Sequence, residues 1–179
     1  MGPLLTLDRT AARPGSSGLD QSSSKEEGSP VDVQYECDAD PQRIDGDVVW
    51  QFLSQEAYWE RWRTRDDVER QLEGAWRVVG CYVQPAGQMV GFARAVSDGV
   101  AFAYLADVFV LSEHRGKGLG KQLVTKAVTD APADRFRWLL HTTNAQGLYA
   151  QLGFAPADGR LLERAPVPSD SRTEPVPTV

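Results

Sequence analysis

Several things are scarce in this 179-residue chain, and each scarcity closes a class of explanation. The longest apolar run, near residues 100–111, falls well short of the roughly 18 to 20 residues that span a bilayer, so no membrane protein is expected. Cysteine is limited to Cys37 and Cys81, without CxxC spacing or clustered histidines. Two cysteines are too few for a disulfide scaffold, no zinc site is expected, and a cytoplasmic location is the default. His114 and His141 stand far apart and make no metal pattern. Basic charge is in deficit, with 19 Lys and Arg against 25 Asp and Glu, which argues against nucleic acid because phosphate backbones call for a basic surface. The first residues lack the basic stretch and apolar core of a secretory signal.

What remains is enough for one core, since 41% of side chains are hydrophobic and 25% charged. Residues 1–30 are crowded with Ser, Gly and Pro, as in GSSGLDQSSSKEEGSP, and read as a disordered leader with too little apolar surface to offset the entropy of ordering. Residues 165–179, APVPSDSRTEPVPTV, read as a Pro-rich disordered tail. The folding unit is then residues 31–164, and no internal repeat is visible in it.

Residues 31–36 alternate as a strand, and Val48, Val49, Phe52 and Leu53 recur on one helical face. Thr64 and Asp67 resemble a helix cap before the stripe of Val68, Leu72 and Ala75, which ends near Gly74. Three β-rich runs follow, at 76–84, 88–96 and 101–111, separated by turn signals that suit an antiparallel meander. The third run is apolar on both faces apart from Asp107. Leu119, Leu123, Val124, Ala127 and Val128 then make a helical stripe, residues 136–142 a strand, 145–152 a short helix and 160–163 a last strand. The expected fold class is α/β, with a mixed, mainly antiparallel sheet and one strand–helix–strand unit that supplies a parallel pairing.

The turn RGKGLGK, where the third strand hands over to the helix, carries the most chemistry. Backbone N–H groups at a helix start, together with the helix dipole, attract phosphate. Gly116, Gly118 and Gly120 let the main chain approach an oxygen closely, and Arg115, Lys117 and Lys121 add positive charge. A P-loop does not fit, because three residues rather than four separate Gly116 from Gly120-Lys121 and Gln122 follows instead of Ser or Thr. A dinucleotide fingerprint does not fit either, since the glycines run GxGxG after several antiparallel strands.

Arg115-x-x-Gly118-x-Gly120 resembles the R/Q-x-x-G-x-G/A motif of the GCN5-related N-acetyltransferase (GNAT) superfamily. The segment AQGLYAQLGF, residues 145–154, is similar to that family's A-x-x-L/F-Y-x-x-x-G-F helix, about 30 residues downstream. The resemblance implies a GNAT-like acyltransferase fold in which a βαβ unit binds acetyl-CoA as cosubstrate, with no metal. It implies that Val108, Phe109 and Val110 pair with the pantetheine arm, and that Arg115, Gly116, Lys117, Gly118, Leu119, Gly120 and Lys121 hold the pyrophosphate. Tyr149 stands where the family places the donor of a proton to the leaving thiolate.

A base is also required, because an amine attacks only when neutral. Asp107 is the first candidate, against a structural reading in which a buried carboxylate is simply paired. The strand is also similar to LEDFFV-type strands of polyamine acetyltransferases, but Ala106 occupies the place of their Glu. Thr142 stands where many relatives carry an Asn for the pantetheine; Asn144 could take that part, or cap the next helix. His141 is a further candidate proton relay.

By the same resemblance, the segment before the sheet forms the acceptor wall. Tyr58 and Trp59 could form an aromatic rim there, with Glu60, Arg61 or Arg63 selecting charge, while Trp50 and Trp62 are expected to pack. The implied activity is transfer of acetyl to a primary amine, most simply on a small molecule. A protein or peptide acceptor, or a CoA-binding protein without turnover, is the alternative. Partners are acetyl-CoA and the amine, with a homodimer compatible with the resemblance.

Overall fold

The computed structural model describes residues 33–59 and 62–164. The expected leader and tail lie outside the described residues, as do Glu60 and Arg61. Five strands form one sheet in the order β1 (Gln34–Asp38), β2 (Arg77–Gln84), β3 (Gln88–Ser97), β4 (Phe102–Val110) and β5 (Arg137–Leu139). The first four pair antiparallel, and β4 pairs parallel with β5 across helix α3 (Leu119–Thr129). This is the mixed, mainly antiparallel α/β sheet that the apolar runs and their turns imply.

The alternation of side chains along the strands splits the core in two. On one face Val78, Phe92 and Phe109 pack with Val49, Phe52 and Leu53 of α1 (Gly46–Gln55) and Val68 of α2 (Arg65–Glu73). On the other, Val79, Val90, Ala93 and Leu105 pack with Leu119, Leu123, Val124 and Ala127 of α3. Each fully buried aliphatic or aromatic side chain stabilises the fold by about 1.5–3 kcal/mol of transfer free energy.

Polar groups fix where the helices begin and end. Asp45 accepts from the N–H groups of Asp47 and Val48 at the start of α1. Thr64 and Asp67 exchange hydrogen bonds in a reciprocal cap that starts α2. The last carbonyls of α3 have no intrahelical donor; Arg77 of β2 donates to those of Ala127 at 2.9 Å and Lys126 at 3.3 Å, and so ties the helix to the sheet.

Four expectations change. Residues 160–164 form no strand; Leu162 is 90% exposed, so that segment has no apolar face to bury. β5 is three residues long rather than seven, because it leaves β4 after Leu139. Trp62, expected to pack, is 73% exposed, whereas Trp50 packs against the α1 cluster as expected. Cys37 and Cys81, which composition set aside, are register partners across β1 and β2 and are bonded to each other. Their separation of 44 residues in sequence hides a contact that only strand register creates. None of the described helices is long and apolar enough to cross a membrane.

Leu123 has no exposed surface and lies between α3 and the sheet. Leu123→Ala should destabilise the domain by about 2–5 kcal/mol, through lost transfer energy and a residual cavity. Urea unfolding checks this as a lower midpoint at unchanged slope.

Candidate active site

The site begins with an irregularity in β4. From Phe92 to Arg94 strand β3 advances two residues, while the paired span of β4, from Phe109 to Ala106, uses three. The extra residue is absorbed at Asp107, whose φ of 52° lies in the left-handed region that Asp tolerates better than most side chains. The bulge swaps the faces of the strand. Leu105 therefore joins the α3 cluster, whereas Phe109, four residues on, stacks against Phe52 of α1 with centroids 4.0 Å apart.

Asp107 projects toward α1 and α2 and is surrounded by donors. Arg94 reaches its Oδ2 through Nε at 2.9 Å and Nη2 at 2.7 Å. Arg63 donates to both oxygens at 3.1 Å, and the Trp59 indole N–H to Oδ1 at 3.1 Å. Burial alone would push the Asp107 carboxyl up; the Arg63 hydrogen bonds and the Arg94 charge outweigh it and hold the group below the usual carboxylate range. A carboxylate whose lone pairs are committed to two guanidiniums and an indole is poorly placed to take a proton from a substrate ammonium. The paired reading fits this geometry better than the base reading.

Beside this cluster runs a cleft of about 1100 Å³. One wall is the connection after α1, where Tyr58 crosses to the far side and its hydroxyl bonds Thr143 Oγ1 at 2.6 Å. Trp59 stands behind it, edge-on to Tyr58. The floor is β4, which pairs with β5 only from Phe102 to Tyr104; beyond that, the edge carrying Val108, Phe109 and Val110 has no β5 partner and lines the cleft.

The glycine turn closes the far end. Gly116 and Gly118 have φ of 76° and 79°, and a Cβ at either would meet no heavy atom within 4 Å, so the main chain is open to a ligand. Gly118 is the N-cap of α3 and no side chain among the described residues caps the first turn, which leaves the first N–H groups, those of Leu119, Gly120 and Lys121, without an intrahelical acceptor. Arg115, Gly116, Gly118, Leu119 and Gly120 line the cleft. Arg115 turns back onto β4, its Nε donating to the Val110 carbonyl at 2.8 Å. Lys117 donates to the Tyr35 hydroxyl at 2.8 Å, and Lys121 is exposed; neither lines the cleft.

Helix α4 (Gln146–Ala150) brings in Tyr149, which is 8% exposed and lines the same cleft. Its hydroxyl makes no hydrogen bond among the described residues and is not sealed from solvent. Burial raises its pKa, with the Tyr58 and Tyr104 hydroxyls adding to the effect, so the phenol keeps its proton. Asn144 lines the cleft and does not cap α4; the Ala145 N–H goes instead to Thr142 Oγ1 at 3.1 Å. His141 lines the cleft, with Nδ1 2.8 Å from the Tyr104 hydroxyl and Nε2 3.6 Å from Glu163.

Sequence reasoning passed over Arg94 and Tyr104. A usable signal existed for the first, since Arg94 is the one cation in QMVGFARAV, as Asp107 is the one anion in AFAYLADVFVL. Two lone opposite charges in neighbouring apolar strands could have been paired.

Residues 45–154 match the model of the Acetyltransferase (GNAT) family. The chain belongs to this family. A Gibberella zeae protein named "Putative acetyltransferase FG08082" is 31% identical over 111 residues, which are 60% of each chain, so the chain spans only about 60% of that relative's length. A GNAT-family crystal structure from Xanthomonas campestris pv. campestris, named a "putative acetyltransferase", is 35% identical with a TM-score of 0.68, covering 74% of this chain and 93% of its own. A GCN5-related N-acetyltransferase from Ralstonia eutropha shares the fold at 19% identity, with a TM-score of 0.55 over 75% of this chain and 99% of that one. The bulged β4, the splay from β5 and the glycine turn thus stand in a GNAT scaffold.

Asp107→Asn should destabilise the domain by about 3–5 kcal/mol at neutral pH, because two buried guanidiniums lose their counter-charge. A lowered carboxyl pKa gives stability that is present above the unfolded value and lost as pH falls. In urea unfolding, the gap between wild type and variant should therefore narrow toward acid pH, and a gap constant with pH would contradict the ion-pair assignment.

Proposed function

We propose that the chain transfers acetyl from acetyl-CoA to a primary amine of a small molecule by direct attack. The observation that carries this reading is the meeting, in one cleft, of three features: a helix start uncapped, a strand edge unpaired and a protonated tyrosine hydroxyl without a hydrogen bond among the described residues. The residues present fit the cosubstrate. The open main chain at Gly116 and Gly118 and the first N–H groups of α3 suit a pyrophosphate, and the free edge of β4 at Val108, Phe109 and Val110 suits the amide-bearing pantetheine arm.

The thioester supplies an activated acetyl group whose sulfur departs as a thiolate. The backbone N–H of Val110, on the free edge of β4, polarises the carbonyl with a donor already in place, so little reorganisation is needed as negative charge develops. Tyr149 holds a proton at neutral pH and donates it to the sulfur, and the proton that the attacking nitrogen loses as the amide forms restores the phenol.

The incoming ammonium must first lose a proton. The Tyr104 hydroxyl, held 2.8 Å from His141 Nδ1, accepts that proton as it passes its own to the imidazole, with Glu163 beside Nε2 to balance the resulting charge. An imidazole is the side chain suited to such a step near neutral pH. Asp107 serves instead to hold Trp59 and Arg94, which wall the acceptor space, and to tie Arg63 to them.

Two variants test this reading. Tyr149→Phe should lower turnover, followed as free thiol released from acetyl-CoA in the presence of amines, by about 10² to 10⁴ while acetyl-CoA still raises the melting temperature. Full turnover in this variant would remove Tyr149 from the mechanism. Gly118→Asp puts a side chain and a negative charge at the helix start and should abolish the thermal stabilisation by CoA. Unchanged stabilisation would exclude the turn as the pyrophosphate site.

A further inference from the structure

We infer that the amine acceptor carries an oxyanion, a carboxylate or a phosphate, that seats on Arg94. This rests on the acetyl-transfer reading and specifies its acceptor. Arg94 lies opposite Ala106 in the β3–β4 ladder, and opposed residues project to the same face of a sheet. Both line the cleft. Where a longer side chain at position 106 would cover the guanidinium, alanine leaves it open.

The donors of Arg94 are unevenly used. Nε and Nη2 both go to Asp107 Oδ2, while Nη1 makes no hydrogen bond among the described residues and is not sealed from solvent. The Arg94 side chain is only 9% exposed, so this donor opens from a desolvated wall, where a charge-assisted hydrogen bond is stronger than at the surface. Asp107 Oδ2, which takes the Nε and Nη2 donors of Arg94, also accepts from Arg63 Nη1 at 3.1 Å. Among the described residues, the other acidic group lining the cleft, Glu56, lies 4.0 Å from Arg115. An acceptor bearing a second ammonium would meet like charge at Arg94; one bearing an oxyanion would complete its hydrogen bonding.

The ladder also sets a length. Tyr104, opposite Val96, is one same-face position before Ala106 along β4, about 7 Å away by strand rise. An amine delivered to Tyr104 with its anion on Arg94 is therefore a short molecule, with a few bonds between the two groups.

The test follows thiol release by the full chain with 3-aminopropanoate, 3-aminopropanamide, 2-aminoethyl phosphate and 1,3-diaminopropane. At least one anionic amine should exceed the amide in kcat/KM by about 10- to 100-fold, the scale of a charge-assisted hydrogen bond. The amine of the amide is less basic, so that bias runs against the expected result. Preference for the carboxylate alone identifies an amino acid acceptor, and for the phosphate alone a phosphorylated amine. Ala106→Glu, which sets a carboxylate beside Arg94, should erase the preference or shift it to the diamine, while CoA still raises the melting temperature. Arg94→Lys should narrow the ratio; if it fails to fold, shown by loss of CoA stabilisation, the wild-type ratios and Ala106→Glu decide. Turnover that treats anion and amide alike, or an anion preference that survives Ala106→Glu, overturns the inference and leaves acetyl transfer standing. No acceleration with any amine overturns both.

Discussion

Asp107 occupies the residue by which β4 exceeds β3, and its carboxylate binds Arg94 on the neighbouring strand and Arg63 on the far side of the first core at the same time. The left-handed backbone at that position would be unfavourable for an apolar side chain; for an aspartate it is compatible with a polar cluster already waiting on that face. Because of the extra residue, Phe109 turns toward α1 and stacks on Phe52, which closes the first core just where the strand edge is about to become free. Trp59 and Arg63, both drawn to Asp107, connect the segment after α1 to the sheet. The cleft wall after α1 is thus positioned by electrostatics from within the sheet as well as by packing.

The same strand solves a second problem, that of presenting backbone donors without exposing a sheet edge. A free edge invites pairing with another chain. Here the exposed span follows a three-residue pairing with β5, and it lies at the bottom of a cleft walled by the α1 connection, α3 and α4. The Tyr58 to Thr143 hydrogen bond spans the cleft, so the edge is reachable by a slender ligand and poorly reachable by a strand. Tyr149 shares the same enclosure, and the burial that raises its pKa keeps the phenol protonated.

The core and element order were legible in the sequence because they depend on local period. The Thr64 and Asp67 cap, the α1 stripe at Val49, Phe52 and Leu53, and the three long β runs each announce themselves within a dozen residues. The glycine turn was legible for the same reason. What could not be read depends on register. The bonding of Cys37 to Cys81, the pairing of Arg94 with Ala106 and the grip of both arginines on Asp107 are set by which residue faces which across strands. The shortness of β5 was hidden too, because residues 140–142 keep a strand-like composition after the chain has left β4. Trp62 misled in the opposite direction: a tryptophan between two helices suggests packing, but its side chain stands 73% exposed.

Net charge and local charge point in opposite directions in this protein, and their ranges reconcile them. A net charge of −6 would disfavour the approach of a coenzyme with several phosphates if it acted at a distance. At physiological ionic strength the Debye length is about 8 Å, so most of that field is screened before a ligand reaches the surface. Within the cleft the distances are shorter and the walls drier. The helix dipole of α3 and the uncapped N–H groups act at one end, and Arg94 acts against the sheet where Ala106 leaves it uncovered. An acidic protein can therefore present a locally cationic site, provided the positive groups are fixed by partners that do not neutralise them fully. Asp107 meets that condition at Arg94, because its carboxylate orients the guanidinium through Nε and Nη2 and leaves Nη1 without a hydrogen bond among the described residues.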